Sequence, residues 1–440
     1  MRDEEALSTL KAQLAEAKVQ LKDAEANATG FAKEYGKEFY LRKQIAEQLQ
    51  EMTGGMRVFC RVRPLPVVMS TPEVEGEAPV ELPPGESCVT VLDETTVLLE
   101  DKNNSRHPRK RFEFNQVYGP GAEQAKIFDD VKPMIGQTLQ GFNVSAIVYG
   151  PSQSGKTYTL EGTPDEPGMM LRAINSIFEE ITDGAPECMT FEAFLSVIDI
   201  VDEQFRDLLL ADDAKPEPLT AVTRDATYGV RVEGAQILPV RTASHVRSLL
   251  SQAQAARKVG GREGDSSMFT MLTVRSANAE TGESSVGKLT IVDLADAQLQ
   301  PKKGEAPPEG HNASLTALTG VIDALAQSKK KNIDFESSRL TELLQDSLGG
   351  NSKSMLMLCV DPSPPNAPLS SQCLQFAEKA KGVKLGAASK NKESMHTAMT
   401  KVNTTMSALT QHANKGGMSA RGGGTARGPA AAPAAAPAAE

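Results

Sequence analysis

Apolar residues along this chain follow two different periods, which predict different elements. In the first 52 residues, apolar or small side chains recur every three or four positions, the spacing of a coiled-coil helix. The pattern begins with Leu7, Leu10, Leu14 and Leu21. Two glycines at 54–55 follow it and predict its end. We predict a coiled-coil helix over residues 1–53 that pairs with a second chain; an amphipathic helix packed on its own domain is the alternative.

The middle of the chain alternates short apolar runs with helical patterns. The clearest apolar runs are residues 56–62, 144–149, 289–294 and 355–360. Helical patterns such as 168–181 and 315–327 separate them. Strands that are apolar on both faces are typical of a parallel sheet covered by helices on each side. We therefore predict one α/β unit over residues 56–384, with a central, mostly parallel sheet flanked by helices.

Composition and net charge differ between the body of the chain and its C-terminal tail. Residues 416–440 are almost entirely Gly, Ala, Pro and Arg, which predicts a basic, largely disordered tail over residues 385–440. The net charge is −12 for residues 56–384, within a total of −10, so we expect no nucleic-acid partner for this acidic body. No apolar run approaches the roughly 18 residues that a membrane span needs, so no membrane is expected. The five cysteines form no CxxC pair, which favours a reducing compartment.

The strongest chemical signal is the segment GPSQSGKT at residues 150–157, which fits the phosphate-loop pattern G-x-x-x-x-G-K-[ST]. Backbone N–H groups and the lysine of such a loop hold phosphates, and its last hydroxyl contacts Mg²⁺. The predicted nucleotide-binding residues are Gly150, Pro151, Ser152, Gln153, Ser154, Gly155, Lys156 and Thr157. Asp293 ends another apolar run, and we expect it to contact Mg²⁺ through water, beside Thr157. A vestigial loop that keeps the fold but binds nothing is the alternative.

Several longer stretches resemble the kinesin motor superfamily. They are CRVRPL at 60–65, FNQVYGP at 114–120, SGKTYTLEG at 154–162, VDLA at 292–295 and RLTELLQDSLGGNSKSMLMLCVDPSP at 339–364. The helix that precedes the first strand, in QEMTGGMRVFCRVRP, resembles the neck of the C-terminal-motor, minus-end-directed kinesins of class fourteen. The resemblance implies a kinesin-like P-loop NTPase head after a coiled-coil neck, with ATP or ADP and Mg²⁺ as cofactors.

The resemblance also implies roles for residues outside the phosphate loop. Arg61, Arg63 and Pro64 match positions that flank the adenine, and Tyr158 directly follows the loop in the same nucleotide site. The residues implied to face the microtubule are Asn312, Arg339, Lys302, Lys303, Lys329, Lys330 and Lys331. For the lysines, a solvated loop without a partner is the alternative.

The two switch segments depart from the family's pattern. Active kinesins carry N-x-x-S-S-R-S-H as the first switch, whereas only Ser266 and Ser267 remain here. The second switch reads D-L-A-G-S-E in active members, but here Asp296 replaces the glycine and Gln298 replaces the glutamate. The Arg–Glu ion pair that closes the family's active site has therefore lost both partners. The carboxylate of Asp296 would repel a γ-phosphate if it pointed inward; a carboxylate turned into solvent is the alternative. We assign no catalytic residue beyond these degenerate positions.

These features predict a kinesin-like microtubule-associated protein that binds nucleotide and is non-motile or hydrolyses ATP very slowly. It would act as a structural or partner subunit on microtubules in the cytoplasm, for example in a spindle or an axoneme. Residues 1–52 would pair it with a copy of itself or with another kinesin. The retained Lys156, Thr157 and Asp293 favour the alternative, an active minus-end-directed motor ATPase, so the sequence leaves open whether the chain is an enzyme.

Overall fold

The structure is a computed structural model that describes most of the predicted head. It describes residues 54–393 except for 66–67, 70–80, 83–84, 103–107, 211–218, 226–228, 260–262, 301–310 and 328–332. Nearer the N terminus it describes only Lys18 and Lys22, both helical. The rest of the predicted neck and the tail after residue 393 lie outside the described residues. So do five of the predicted microtubule-facing residues, namely Lys302, Lys303, Lys329, Lys330 and Lys331.

Strands and helices alternate along the head. The strands are β1 (Arg57–Val62), β2 (Val68–Met69), β3 (Glu81–Leu82), β4 (Val89–Val91), β5 (Thr96–Glu100), β6 (Arg109–Glu113), β7 (Gln116–Tyr118), β8 (Asn143–Tyr149), β9 (Met189–Val201), β10 (Gln204–Asp207), β11 (Val222–Asp225), β12 (Gly229–Val232), β13 (Leu238–Val240), β14 (Ser267–Asn278), β15 (Ser284–Asp293), β16 (Ser352–Val360) and β17 (Lys392–Glu393). The α-helices are α1 (Gln124–Gly136), α2 (Lys156–Leu160), α3 (Met169–Glu179), α4 (Ala243–Val259), α5 (Ala313–Ala326), α6 (Arg339–Leu343), α7 (Gln345–Gly349) and α8 (Ala367–Lys381). None of the described helices is both long and apolar enough to cross a membrane.

The central sheet has the strand order β10-β9-β14-β15-β8-β16-β1-β7. From β15 to β7 the neighbouring strands are parallel, and the four predicted apolar runs all lie in this part. β14, β9 and β10 extend the sheet through antiparallel pairs. The sequence patterns did not predict this extension, although they did predict the α/β fold with its parallel centre.

Helices cover both faces of the sheet because successive strand residues point to opposite sides. In β1, Val58 and Cys60 pack on one face together with Leu374 of α8. Phe59, which lies between them in sequence, packs on the other face together with Ile127 of α1. β8 is buried at every position, as expected for a strand with a helical layer on each side.

The carboxyl ends of β8 and β15 meet at one edge of the sheet. The two strands are parallel neighbours, and Asp293 stands in register with Val148. Loops that follow adjacent parallel strands form the crevice in which α/β proteins bind ligands. This topology therefore sets the phosphate loop, which follows β8, beside the segment that follows β15.

The two ends of the described head lie side by side. The N–H of Leu385 donates to the carbonyl oxygen of Gly54 at 3.0 Å, next to the point where the predicted neck would join the head. Further on, the N–H of Asn391 donates to Gly141 at 2.9 Å, and its side-chain amide donates to Val286 at 3.0 Å. The first residues after α8 thus pack on the head, and β17 pairs with β15.

Candidate nucleotide site

The phosphate loop joins β8 to α2 and has the backbone of a tight cradle. Gly150 and Gly155 have φ angles of 156° and 92°. A Cβ atom on Gly150 would lie 2.2 Å from the carbonyl oxygen of Cys359, so only glycine fits there. Gln153 also has a positive φ, 58°, which strains a residue with a side chain. The loop therefore places Gln153 in a conformation that glycine would adopt without strain.

The loop forms one wall of a cavity of about 360 Å³. The opposite wall comes from the last turn of α4, from the 3₁₀ turn Glu263–Asp265 and from the residues that follow β15. The predicted site residues that line the cavity are Ser152, Gln153, Gly155, Lys156, Thr157, Tyr158, Asp293 and Asp296. Pro151 and Ser154 are buried beneath the loop, where the hydroxyl of Ser154 donates to the carbonyl oxygen of Pro151 at 2.8 Å.

The ammonium group of Lys156 is surrounded by acceptors from the protein itself. Its Nζ lies 2.9 Å from the carbonyl oxygen of Gly150 and 3.0 Å from that of Pro151. The third acceptor is Oδ1 of Asp296, at 2.5 Å. Because an ammonium has three donors, these contacts occupy all of them. The carboxylate of Asp296 thus points into the cavity.

The backbone around Asp296 joins the two walls of the cavity. Its N–H donates to the carbonyl oxygen of Gly264, in the first-switch segment, at 2.7 Å. The next N–H, that of Ala297, donates to Gly150 in the phosphate loop at 3.0 Å. The main chain of Asp296 is therefore fixed from both sides, and its carboxylate is held by Lys156.

A second ion pair links the two switch segments. Arg257, in the last turn of α4, places Nη1 2.8 Å from Oδ2 of Asp293. Its Nε donates to the hydroxyl of Ser266 at 2.8 Å, and Nη2 donates to the carbonyl oxygen of Ser266 at 3.0 Å. All three residues are buried. The sequence analysis did not foresee this contact; its only signal in the sequence is a basic residue 36 positions before Asp293.

The other degenerate switch positions hold the local backbone together. The hydroxyl of Ser267 accepts a hydrogen bond from the N–H of Ala295 at 3.0 Å. Oε1 of Gln298 accepts one from the N–H of Asn312 at 2.9 Å. Asn312 in turn caps α5, because its Oδ1 accepts from the N–H of Leu315 at 3.1 Å. Gln298 thus positions the start of α5.

The predicted adenine-flanking residues lie beside the cavity and do not line it. The buried guanidinium of Arg61 stacks on the ring of Tyr158, 4.8 Å from the centroid, and donates to Gln124 and Thr159, each at 3.0 Å. Burial lowers the pKa of Arg61, although an arginine stays protonated. A hydrogen bond to Glu166, 2.8 Å long, raises the pKa of the half-exposed Tyr158. The guanidinium of Arg61 therefore holds the ring of Tyr158 in place at the edge of the cavity.

Arg63 and Pro64 follow at the end of β1. Nη2 of Arg63 lies 3.0 Å from Oδ1 of Asp361 in an ion pair. A Cβ on Gly155 would lie 3.9 Å from the Cβ of Arg63, so this arginine borders the phosphate loop. Pro64 is exposed.

The residues of the cavity fit a magnesium nucleotide, provided that Lys156 releases one of its acceptors within the protein. Oδ1 of Asp293 is buried and has no hydrogen-bond partner among the described residues, so it could accept from a metal-bound water. Thr157 lines the cavity beside it. Within the described part of the chain, no cluster of three or more His, Cys, Asp or Glu residues forms a metal site, and Mg²⁺ is usually held by phosphates and waters with one or two protein groups.

Only two predicted microtubule-facing residues are described. Asn312 and Arg339 begin α5 and α6, which contact each other. Glu203 connects these helix starts, because it accepts from the hydroxyl of Ser314 and from the N–H of Arg339. The guanidinium of Arg339 lies 2.9 Å from Glu342. These helix starts form one surface beside the second switch.

Together, the strand, phosphate loop and helix at the carboxyl edge of parallel strands, with Asp293 on the neighbouring strand, define the P-loop class of α/β proteins. A sequence model of the kinesin motor domain matches residues 69–383, which is more than half of the chain. The chain belongs to the kinesin motor-domain family.

Known relatives agree with this assignment. The kinesin-like protein KIN-14K of Oryza sativa subsp. japonica is 33% identical over 380 residues, 82% of this chain and 36% of that protein. KIN-14P of Arabidopsis thaliana is 32% identical over 370 residues, 80% of this chain and 34% of that protein. The chain thus spans about a third of these relatives' length. A solved structure of a fast kinesin aligns with a TM-score of 0.66 and 28% identity, over 78% of this chain and 95% of that one. The predicted family, the resemblance to class fourteen and the fold of the head are confirmed, whereas the coiled-coil neck stays a prediction.

Proposed function

We propose that this chain is a kinesin-like microtubule-associated protein that binds ATP or ADP with Mg²⁺ and hydrolyses ATP very slowly or not at all. It would serve as a structural or partner subunit on microtubules. The observation that carries this proposal is the contact between Gln298 and Asn312, 2.9 Å long. The residue at the position of the family's second-switch glutamate is neutral and hydrogen-bonds to the start of α5.

A neutral amide cannot form the ion pair that the resemblance implies for an active site. The arginine that does lie between the switch segments, Arg257, contacts Asp293 and Ser266. Phosphoryl transfer depends on positioning and on charge stabilisation. The loss of one positioned group in comparable enzyme sites lowers the rate by about 10²–10³. We therefore expect hydrolysis far below that of an active kinesin head.

The retained residues support nucleotide binding. Lys156 would contact phosphate, and the hydroxyl of Thr157 would hold Mg²⁺ with Asp293, the latter through water. Bound Mg²⁺ would neutralise phosphate charge. Tyr158, supported by Arg61, would border the base. The strained Gln153 and the missing N–H of Pro151 reduce the number of favourable backbone contacts in the loop.

Microtubule binding would use the surface at the start of α5 and α6, with Asn312 and Arg339. The head carries a net charge of −12 over residues 56–384, so contact with an acidic partner needs a local basic patch. Lys302, Lys303, Lys329, Lys330 and Lys331 would supply it. Residues 1–52 would pair the chain with itself or with another kinesin, and the complex would reside on the microtubule cytoskeleton, in a spindle or an axoneme.

Two assays on the purified full chain test this function: co-sedimentation with microtubules at low salt, and ATP turnover with and without microtubules. We expect salt-sensitive co-sedimentation and turnover about 10²–10³ below that of an active kinesin head assayed in parallel. A Lys156→Ala variant sets the background of the turnover assay. Strong stimulation by microtubules, with gliding of microtubules over surface-bound protein, would instead establish the alternative, an active minus-end-directed motor.

A further inference from the structure

Two side chains of the protein already occupy positions in the cavity that a magnesium nucleotide would use. The carboxylate of Asp296 lies 2.5 Å from the ammonium of Lys156, where a phosphate oxygen would bind. The guanidinium of Arg257 lies 2.8 Å from the carboxylate of Asp293, beside the position expected for the metal shell. The cavity is thus internally charge-compensated by two pairs that the phosphate-loop pattern does not require.

The Lys156–Asp296 ion pair affects the β- and γ-phosphates of a nucleotide differently. In a loop of this pattern the lysine reaches the β- and γ-phosphates. Lys156 can reach a first phosphate by releasing the carbonyl oxygen of Gly150 or of Pro151, which are neutral acceptors. To reach a second phosphate it must also release Asp296, and the carboxylate would then face another anion. The free-energy cost of displacing Asp296 therefore applies to the binding of the terminal phosphate.

The main chain of Asp296 is fixed at the edge of the cavity, and its carboxylate lies beside Gly264, where a Cβ atom would be 2.8 Å from Oδ2. The N–H of Asp296 donates to Gly264, and the N–H of Ala297 donates to Gly150. The side chain of Lys156 is 8% exposed and that of Asp296 is 28% exposed, so water screens the pair mainly from the Asp296 side. The backbone contacts keep Asp296 beside the phosphate loop, and turning its side chain out of the cavity would break the ion pair with Lys156.

We propose that Asp296 is an internal ligand of the phosphate loop that excludes a γ-phosphate, so that the cavity selects nucleoside diphosphates over nucleoside triphosphates. This inference rests on the proposed function for the presence of a nucleotide, and it goes beyond slow hydrolysis. A head of this kind would remain mostly in the diphosphate state until ATP exceeds ADP by roughly ten- to hundredfold, because the binding of ATP is weakened and not only its hydrolysis.

The test compares the dissociation constants of ADP and of a non-hydrolysable ATP analogue, measured calorimetrically with Mg²⁺ on the full chain. We expect wild type to bind ADP roughly ten- to hundredfold more tightly, since hydrogen bonds to charged groups contribute free energies of that size. Asp296→Asn removes the charge at nearly constant volume, so it should tighten the triphosphate analogue by a similar factor and change ADP binding less than about threefold. Asp129→Asn, at an exposed residue of α1, is the charge-matched control and should change neither constant.

The outcomes separate this inference from the proposed function. Equal wild-type affinities for the two nucleotides would overturn the internal ligand and leave nucleotide binding intact. An unchanged preference in Asp296→Asn would also overturn it. If wild type bound neither nucleotide while Asp296→Asn bound the triphosphate, the internal ligand would be supported and wild-type nucleotide binding would be refuted. No binding by either protein would overturn both. The wild-type comparison needs no variant, so the inference stays testable even if Asp296→Asn does not fold.

Discussion

The two walls of the nucleotide cavity are built by different means. The phosphate-loop wall depends on backbone shape: Gly150 lies against the carbonyl of Cys359, where no side chain fits. The opposite wall depends on charge: Arg257, Asp293 and Asp296 form its contacts through ionised side chains. Backbone shape and side-chain charge are set by different residues, so the shape of a phosphate site can persist while its chemistry changes.

The same contrast separates the fold from the activity. The phosphate loop is part of the parallel sheet's edge, and its loss would disturb the core. The facing loops only have to satisfy one another's hydrogen bonds, which Asp296 and Ser266 do with partners different from those that the resemblance implies. Substitutions on each wall should therefore have different effects on stability.

The largest effect is expected on the charged wall. Arg257→Ala would leave Asp293 buried without its cation, and Oδ1 of Asp199, 3.8 Å from Nε of Arg257, would also lose positive charge nearby. Removing one partner of a buried ion pair typically destabilises a protein by about 3–5 kcal/mol. We expect a loss of this size in the free energy of unfolding, measured by urea denaturation monitored by circular dichroism.

The matched control for Arg257→Ala is Lys258→Ala. This residue is the next one along α4 and is exposed, so its removal should change stability by less than about 0.5 kcal/mol. Equal, small effects of the two substitutions would show that the charged wall is not held by the Arg257–Asp293 pair.

A somewhat smaller loss is expected on the backbone wall. Gly150→Ala would place a Cβ 2.2 Å from a carbonyl oxygen, at a φ of 156°. Overpacking costs about 1–3 kcal/mol. Backbone strain adds about 1 kcal/mol, the low end of its range, because a φ of 156° lies close to the extended region. We therefore expect a total of about 2–4 kcal/mol by the same measurement.

Gly320→Ala is the opposite-sign control for the glycine. Gly320 is exposed inside α5, and a Cβ there would meet no atom within 4 Å. Alanine should therefore stabilise the helix, by about 0.5–1 kcal/mol. A Gly150→Ala variant as stable as wild type would mean that the loop relaxes easily, and the contrast between rigid and charged walls would fail.

The sequence patterns predicted the buried strands of the parallel sheet and the phosphate loop, because consecutive residues define both. The buried strands β1, β8, β15 and β16 are continuous apolar runs, and the phosphate loop is defined by eight consecutive positions. Neighbouring elements could thus be placed from sequence alone. The antiparallel strands β9 and β14 were missed because they mix polar with apolar residues and are only half-buried at several positions. Their pairing also joins segments that are far apart in the sequence.

The contacts that determine the chemistry could not be predicted. Arg257 and Asp293 are 36 residues apart, and no spacing rule connects the end of a helix with the end of a strand. The sequence placed Asp296 in the second switch but left open whether its carboxylate faced the solvent or the loop. That choice depends on the contact with Lys156, and on the backbone contacts to Gly264 and Gly150 that bring Asp296 beside it, which exist only in the folded chain.

The smallest expected effect concerns the Arg63–Asp361 ion pair, which borders the phosphate loop, and its dependence on pH. Asp361, buried after β16, accepts hydrogen bonds from Arg63 at 3.0 Å, from the N–H of Ser363 at 3.0 Å and from Asn366 at 2.7 Å. Burial alone would raise its pKa, but these hydrogen bonds prevail and hold the pKa of Asp361 below its ordinary value.

A depressed carboxyl pKa in the folded state means that the unfolded chain binds the proton more tightly. The stabilisation by Asp361 is therefore complete above the unfolded pKa of about 3.9 and disappears as the pH falls through the lower folded value. We expect Asp361→Asn to lose about 1–3 kcal/mol at pH 7 and to show a weaker loss of stability than wild type between about pH 4 and pH 2. Urea denaturation at a series of pH values measures both, with Asp129→Asn, an exposed residue, as the charge control. If Asp361→Asn and wild type lost stability in parallel on acidification, the carboxylate would not stabilise this wall, and charge would matter only across the cavity.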